Sequence, residues 1–182
     1  IFVETEARLT ARDATVFAEN TAGSSAGALE LRDGSATFLE DVLFDANVVN
    51  SSSDAAGGGA IHMRRAADLE CRNCTFRDNQ VAKSSFFGGG AILAERRSTL
   101  RLRTTTFVGN HAAADAGSAA LSITTSSVVY MVFATLDATQ TFRFDVSSQL
   151  VAYQANDDGS IAFRTSVLDV VLDASSDATV DV

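Results

Sequence analysis

The apolar positions of this chain fall in a register that restarts. Gly-Ala-[Ile/Leu] followed by Phe-x-x-Asn occurs as Gly27-Ala28-Leu29 with Phe44 and Asn47, as Gly59-Ala60-Ile61 with Phe76 and Asn79, and as Gly90-Ala91-Ile92 with Phe107 and Asn110. The step from Gly to Phe is 17 residues and from Gly to Asn 20 in every copy, whereas the Asn-to-Gly segment varies from seven to twelve. A constant frame broken by elastic insertions identifies stacked repeats, each too thin to bury its own apolar face. Two strands are predicted per repeat. One starts at Gly-Ala-[Ile/Leu], and the second alternates as Leu69-x-Cys71 and Leu100-x-Leu102 and continues to Phe76 and Phe107. Short polar corners such as Arg32-Asp33-Gly34-Ser35 and Glu95-Arg96-Arg97-Ser98 separate them, and no stretch has room for a helix.

Stacking such repeats in register places equivalent residues about 4.8 Å apart. Phe17, Phe44, Phe76 and Phe107 then form an interior aromatic stack. Asn20, Asn47, Asn79 and Asn110 form an amide ladder at a corner, where asparagine tolerates left-handed backbone. The segments Val48 to Gly58 and Gln80 to Gly89 are expected as loops on one side. Beyond Asn110 the frame decays: Ala119 replaces the glycine, Leu136 stands in the Phe position, and Gly159 to Phe163 keeps only the start of a coil. The reading is an all-β parallel β-helix (β-solenoid) of about six coils in one domain over 1–182, regular over about 1–123 and irregular over about 124–182. Asp169, Asp173, Asp177 and Asp181 are read as solvated strand-edge charges. Stepping 17 back from Phe17 lands before Ile1, so the chain begins inside a coil, and a piece of a longer protein is expected. A leucine-rich repeat fits poorly, because Leu102 precedes Asn110 by eight residues and no helical segment follows.

Composition adds limits. Hydrophobic residues make up 46% and charged residues 20%, with no long apolar run, which argues against disorder and against a membrane span in this chain. A net charge of −9 argues against nucleic acid as a partner. The charge is unevenly spread: residues 60–103 hold nine Lys/Arg against four Asp/Glu, and the remainder five against nineteen. All the basic residues but Lys83 are arginine.

Gly58-Gly59-Ala60-Ile61 with Asn73-Cys74-Thr75-Phe76-Arg77-Asp78-Asn79, and Gly89-Gly90-Ala91-Ile92 with Phe107-Val108-Gly109-Asn110, resemble the repeat of the chlamydial polymorphic outer membrane proteins. Similar repeats occur in large surface proteins of other bacteria and of algae. The resemblance covers about residues 1–123. It implies a right-handed parallel β-helix displayed on a cell surface as an adhesin. The membrane barrel of that family has no counterpart in this chain.

Candidate chemistry is sparse. Cys71 and Cys74 form a C-x-x-C unit inside a strand, read as two core-facing side chains or, in a secreted chain, a local disulfide. Metal binding lacks further cysteines, and no cofactor is expected. His62 and His111 are read as surface histidines without a nucleophile elbow. The carboxylate pairs Glu40-Asp41 and Asp157-Asp158 sit in no marked context, so a polysaccharide lyase or glycoside hydrolase is the alternative and not the main reading. Threonine runs such as Thr104-Thr105-Thr106 do not repeat in register, which argues against an ice-binding face. Arg64, Arg65, Arg96, Arg97, Arg101 and Arg103, with Arg32 and Arg72 in frame, would stack into a guanidinium stripe suited to an acidic glycan. Asn50-Ser51-Ser52 is a glycosylation sequon in a predicted loop, and Asn73-Cys74-Thr75 a second one expected too near the core. The functional expectation is a non-catalytic structural or adhesive scaffold, extracellular or at a cell surface. Its partners would be other chains of a larger assembly or an acidic polysaccharide.

Overall fold

Backbone pairing in the computed structural model joins each turn of the chain to the next. The structure describes residues 1–50, 57–82, 88–113, 118–132, 134–136, 140–144, 148–153, 169–172 and 179–181. All the strand pairs among these residues are parallel. The first sheet stacks Phe2–Val3, Leu29–Arg32, Ile61–Arg64, Ile92–Ala94, Leu121–Ile123, Thr141–Phe144 and Asp169–Leu172. The second stacks Arg8–Ala11, Ala36–Glu40, Asp68–Arg72, Thr99–Arg103, Val128–Val132, Gln149–Tyr153 and Thr179–Asp181. The third runs through Val16–Ala18, Leu43–Asp45, Thr75–Arg77, Thr106–Val108 and Thr135–Leu136, and the fourth through Thr21–Ala22, Val48–Val49, Gln80–Val81 and His111–Ala112. Gly57–Gly58 and Gly88–Gly89 pair as a small fifth sheet. The fold is a parallel β-solenoid, with no helix among the described residues and hence none long and apolar enough to cross a membrane.

Three expectations change. First, each regular turn carries four strands where two were predicted. Asp41, Asn73 and Thr104 take left-handed backbone, with φ of 55, 51 and 51°, which ends the second strand before the phenylalanine segment begins. Second, four successive turns supply a strand to all four sheets, where about six coils were expected. The next turn keeps the third sheet, with Leu136 opposite Phe107, and the described strands after it belong to the first two sheets. The coil start at Gly159 to Phe163, the pair Asp157-Asp158, and Asp173 and Asp177 lie outside the described residues; Asp169 and Asp181 lie at strand ends. Third, the segments after each Asn begin as strands of the fourth sheet before any loop.

The core follows the alternation. Leu29, Ile61, Ile92 and Leu121 align across turns and are fully buried, as are Leu69 and Leu100 in the second sheet. The rings of Phe17, Phe44, Phe76 and Phe107 stack at 4.9, 4.9 and 5.1 Å, within 10° of parallel. Phe142, from the first sheet, closes the stack edge-on at 6.1 Å. Beside it, Asn20, Asn47, Asn79 and Asn110 form a chain of side-chain amides, each nitrogen bonded to the next oxygen at 2.7 to 3.0 Å, ending on Gln140. The left-handed residue at this corner is the one before each asparagine: Glu19, Ala46, Asp78 and Gly109.

The repeat glycines serve close approach. A Cβ on Gly59 would lie 1.9 Å from the carbonyl oxygen of Gly90, and one on Gly90 would lie 2.0 Å from that of Ala119. Their doublet partners act on the other face of the first sheet. A Cβ on Gly58 or Gly89 would sit 1.8 Å from the carbonyl oxygen of Ile61 or Ile92. The doublets therefore let a second layer of chain lie over the first sheet, and its outward residues His62, Leu93 and Ser122 become buried.

Candidate functional site

The second sheet presents a flat outer face with a row that crosses the turns: Thr10, Phe38, Glu70, Arg101, Tyr130. Alternation puts Leu69, Cys71, Leu100 and Leu102 inward and sends these residues to the surface. Guanidinium groups lie over the rings: Arg12 and Arg72 stand 4.9 and 5.1 Å from the centre of Phe38, and Arg101 5.7 Å from that of Tyr130. Carboxylates of the same face hold their other edges. Arg72 bonds Glu70 at 2.7 Å, Arg103 approaches Glu70 at 3.6 Å, and Arg101 pairs with Asp68. A shallow trough runs between Arg8, Phe38, Asp68, Glu70 and Arg101. Tyr130 is 39% exposed, so a ring face remains open beside the arginines. Such a strip can stack on the apolar face of a sugar ring and bond its acidic substituents.

The predicted arginine stripe is divided. Arg101 and Arg103 belong to this face. Arg65, Arg96 and Arg97 instead line a depression at the corner between the first two sheets, with Thr125 and Ser126. Arg65 bonds Asp33 at 3.2 Å and Arg96 lies 3.8 Å from Glu95. Arg64 is drawn inward on the first sheet, where it and Arg32 share Glu30 at 2.6 and 3.2 Å. Arg77, outside the predicted set, makes a two-pronged bond to Asp45 at 2.8 and 2.6 Å. The hydrogen bonds and charge of that pair hold the Asp45 carboxyl below its ordinary range.

Cys71 and Cys74 are both buried free thiols. Burial first, and then the neighbouring Cys74 thiol and the Glu70 charge, push Cys71 well above the ordinary thiol range, the opposite of a reactive thiolate. Asn50 is exposed. Asn73, expected near the core, is exposed as well, because its left-handed backbone turns the side chain out to bond Asp41.

His111 is exposed, but His62 is 2% exposed and not the surface residue expected. Its Nδ1 meets the Ser25 hydroxyl at 2.8 Å, and its Nε2 lies 3.3 Å from Glu95 Oε1. The second contact is off the line of a good hydrogen bond, so Nε2 lacks a well-aligned partner. Burial alone would raise Glu95. The His62 contact, helped by Arg96 and Arg64, outweighs it and holds the carboxyl below its usual range. The signal for this cluster lay in the glycine doublets and in Leu93, an apolar residue at an outward position.

Comparison with protein families, curated proteins and solved structures finds no match to this chain. Among the described residues no group of three or more His, Cys, Asp or Glu could hold a metal ion.

Proposed function

We propose that the chain is a structural or adhesive segment of an extracellular or cell-surface assembly, a β-solenoid that holds acidic polysaccharide along the outer face of its second sheet. The observation that carries this reading is the row of guanidinium groups stacked on Phe38 and Tyr130. Row positions follow one another at about 4.8 Å per turn, so a polymer lying along the axis can reach the arginine-capped rings of Phe38 and Tyr130 together. The positive balance of residues 60–103 within a chain of net charge −9 points the same way. The resemblance to the repeat of polymorphic outer membrane proteins agrees with surface display.

Cleavage of the glycan is the less favoured reading. Hydrolysis needs two carboxylates free to act on one bond, and Asp68 and Glu70 in the trough are each engaged by arginine.

The test is binding of sulfated or uronate glycans at low salt. Arg101→Ala/Arg103→Ala should weaken it by about tenfold or more, the scale of one charge-assisted hydrogen bond, and Arg96→Ala/Arg97→Ala should do less. Equal binding of a neutral glycan, or no effect of the first pair, would overturn the reading. The length of the glycan after incubation separates binding from cleavage.

A further inference from the structure

The expectation of no catalysis rested on carboxylate pairs in no marked context and on histidines read as surface residues without a nucleophile elbow, and His62 is instead buried in a serine–histidine–carboxylate row. We infer that Ser25, His62 and Glu95 form an acyl-transfer site that cleaves acyl esters, an activity separate from glycan binding. Three successive turns each supply one member. Ser25 precedes the first repeat strand, His62 lies in the equivalent strand one turn on, and Glu95 follows it in the third.

Three observations carry the assignment. Ser25 Oγ is within hydrogen-bond distance of an imidazole nitrogen, at 2.8 Å. The opposite ring nitrogen faces a carboxylate held below its usual range, at 3.3 Å. That carboxylate favours the tautomer with its proton on Nε2, which leaves Nδ1 a lone pair to take the serine proton. Glu30, the other carboxylate in register with His62, is engaged by Arg32 and Arg64 and does not compete.

The backbone at Ser25 is also unusual. Its φ is 75°, and among the described residues the other non-glycine residues with positive φ sit at corners that recur from turn to turn. Ser25 sits at no such corner. A strained, non-recurring conformation at a hydroxyl beside a buried base is where strain tends to be functional. The surroundings are lined by glycine, and a Cβ on Gly57 would come within 2.6 Å of the Ser25 carbonyl oxygen.

The chemistry balances without a further reagent. Ser25 Oγ attacks the ester carbonyl while His62 Nδ1 takes its proton. The C–O bond to the alcohol breaks, and His62 returns the proton to the departing oxygen. Water then attacks the acyl-serine with the same proton transfers, releasing the acid and restoring the hydroxyl. Glu95 acts as a positioning residue, since it meets His62 and not the ester.

The experiment treats the intact chain with a fluorophosphonate, maps the adduct by mass spectrometry, and follows p-nitrophenyl acetate hydrolysis. One adduct per chain on Ser25, absent from urea-unfolded protein, is expected. Ser25→Ala should abolish both adduct and hydrolysis. His62→Gln should slow hydrolysis at least about a hundredfold, and Glu95→Gln should shift the pH profile as well as kcat. Folded protein that shows no adduct, or an adduct on another serine, overturns the inference whatever the variants do. Glycan binding is measured on the same samples, so failure of this site and failure of the glycan reading are told apart.

Discussion

The side-chain amide of Asn79 donates to Oδ1 of Asn110 at 2.9 Å and to the Phe44 carbonyl at 3.0 Å. Its own oxygen accepts from the side chain and the backbone N–H of Asn47, at 2.9 and 3.1 Å. Replacing Asn79 with alanine removes four buried hydrogen bonds, each worth about 1 kcal/mol or more, although Asn110 Oδ1 keeps the Asn79 backbone N–H and the Asn47 amide keeps the Phe17 carbonyl. Asn79→Ala should therefore lower stability by roughly 4 kcal/mol or more. Asn20→Ala, at the solvated end of the ladder, should cost only about 1 kcal/mol. Urea unfolding of the two variants checks the ratio.

Gly59→Ala should be among the most damaging single-methyl additions, because the new Cβ meets Gly90 O at 1.9 Å and Gln80 N at 2.6 Å, both backbone atoms. A loss of about 3 kcal/mol or more is expected from such overpacking. Gly23→Ala is the control: nothing lies within 4 Å of its Cβ, and thermal unfolding should move little.

Ala46 and Gly109 occupy the same corner, with φ of 52 and 63°. Alanine in the left-handed region carries about 1–2 kcal/mol of strain that glycine lacks, set against the greater freedom glycine gives the unfolded chain. Ala46→Gly should be neutral or stabilising by up to about 1 kcal/mol, whereas Gly109→Ala should destabilise, since its Cβ would meet the Asp78 carboxylate at 2.1 Å. Opposite signs in a denaturation series are the readout.

Asp45 and Glu95 both have depressed carboxyls in the folded chain. Each contributes stability that is present above the ordinary carboxylate range and is lost as pH falls through the lower folded value, so the loss belongs below about pH 4. Asp45 is partly exposed and its partner Arg77 is more so, and its share is small after solvent screening. Glu95→Gln should flatten the acid limb of stability against pH more than Asp45→Asn does.

Cys71 behaves in the reverse sense. Its raised value keeps the folded thiol protonated, so its stability is full below about pH 8.5, where the unfolded thiol ionises, and declines as pH rises further. Iodoacetamide should leave the native protein unmodified and add two groups, at Cys71 and Cys74, once urea unfolds it without reductant. A protein that takes up none in urea carries a disulfide instead.

Much of the fold could be read in advance because ladder residues are irreplaceable in kind: a buried Phe, a buried Asn and a glycine under a carbonyl each tolerate one residue type and so recur visibly. The corners were harder to read. Arg65, Ala66, Arg96 and Arg97 all take left-handed backbone despite their side chains, since carbonyls of the next turn accept the N–H groups of Ala66 and Arg97. That compensation leaves no mark on residue type, and the extra strand breaks went unseen for the same reason. The arginine stripe was half legible. Register placed Arg101 and Arg103 on one face, but the pull of Glu30 on Arg64 depends on which neighbour lies one turn away. Ser25 lies in an Asn-to-Gly segment that carries no register, and Glu95, in frame with Arg32 and Arg64, departs from the arginine of its position without showing what it faces.

Because backbone pairing connects turn to turn, the bonds that hold the molecule together point along its long axis. Tension applied at the two ends would load one inter-turn seam at a time, so the chain should pay out in steps of one turn at modest force. Load applied across the axis would be shared by neighbouring turns at once. A protein built this way resists sideways shear far better than stretching.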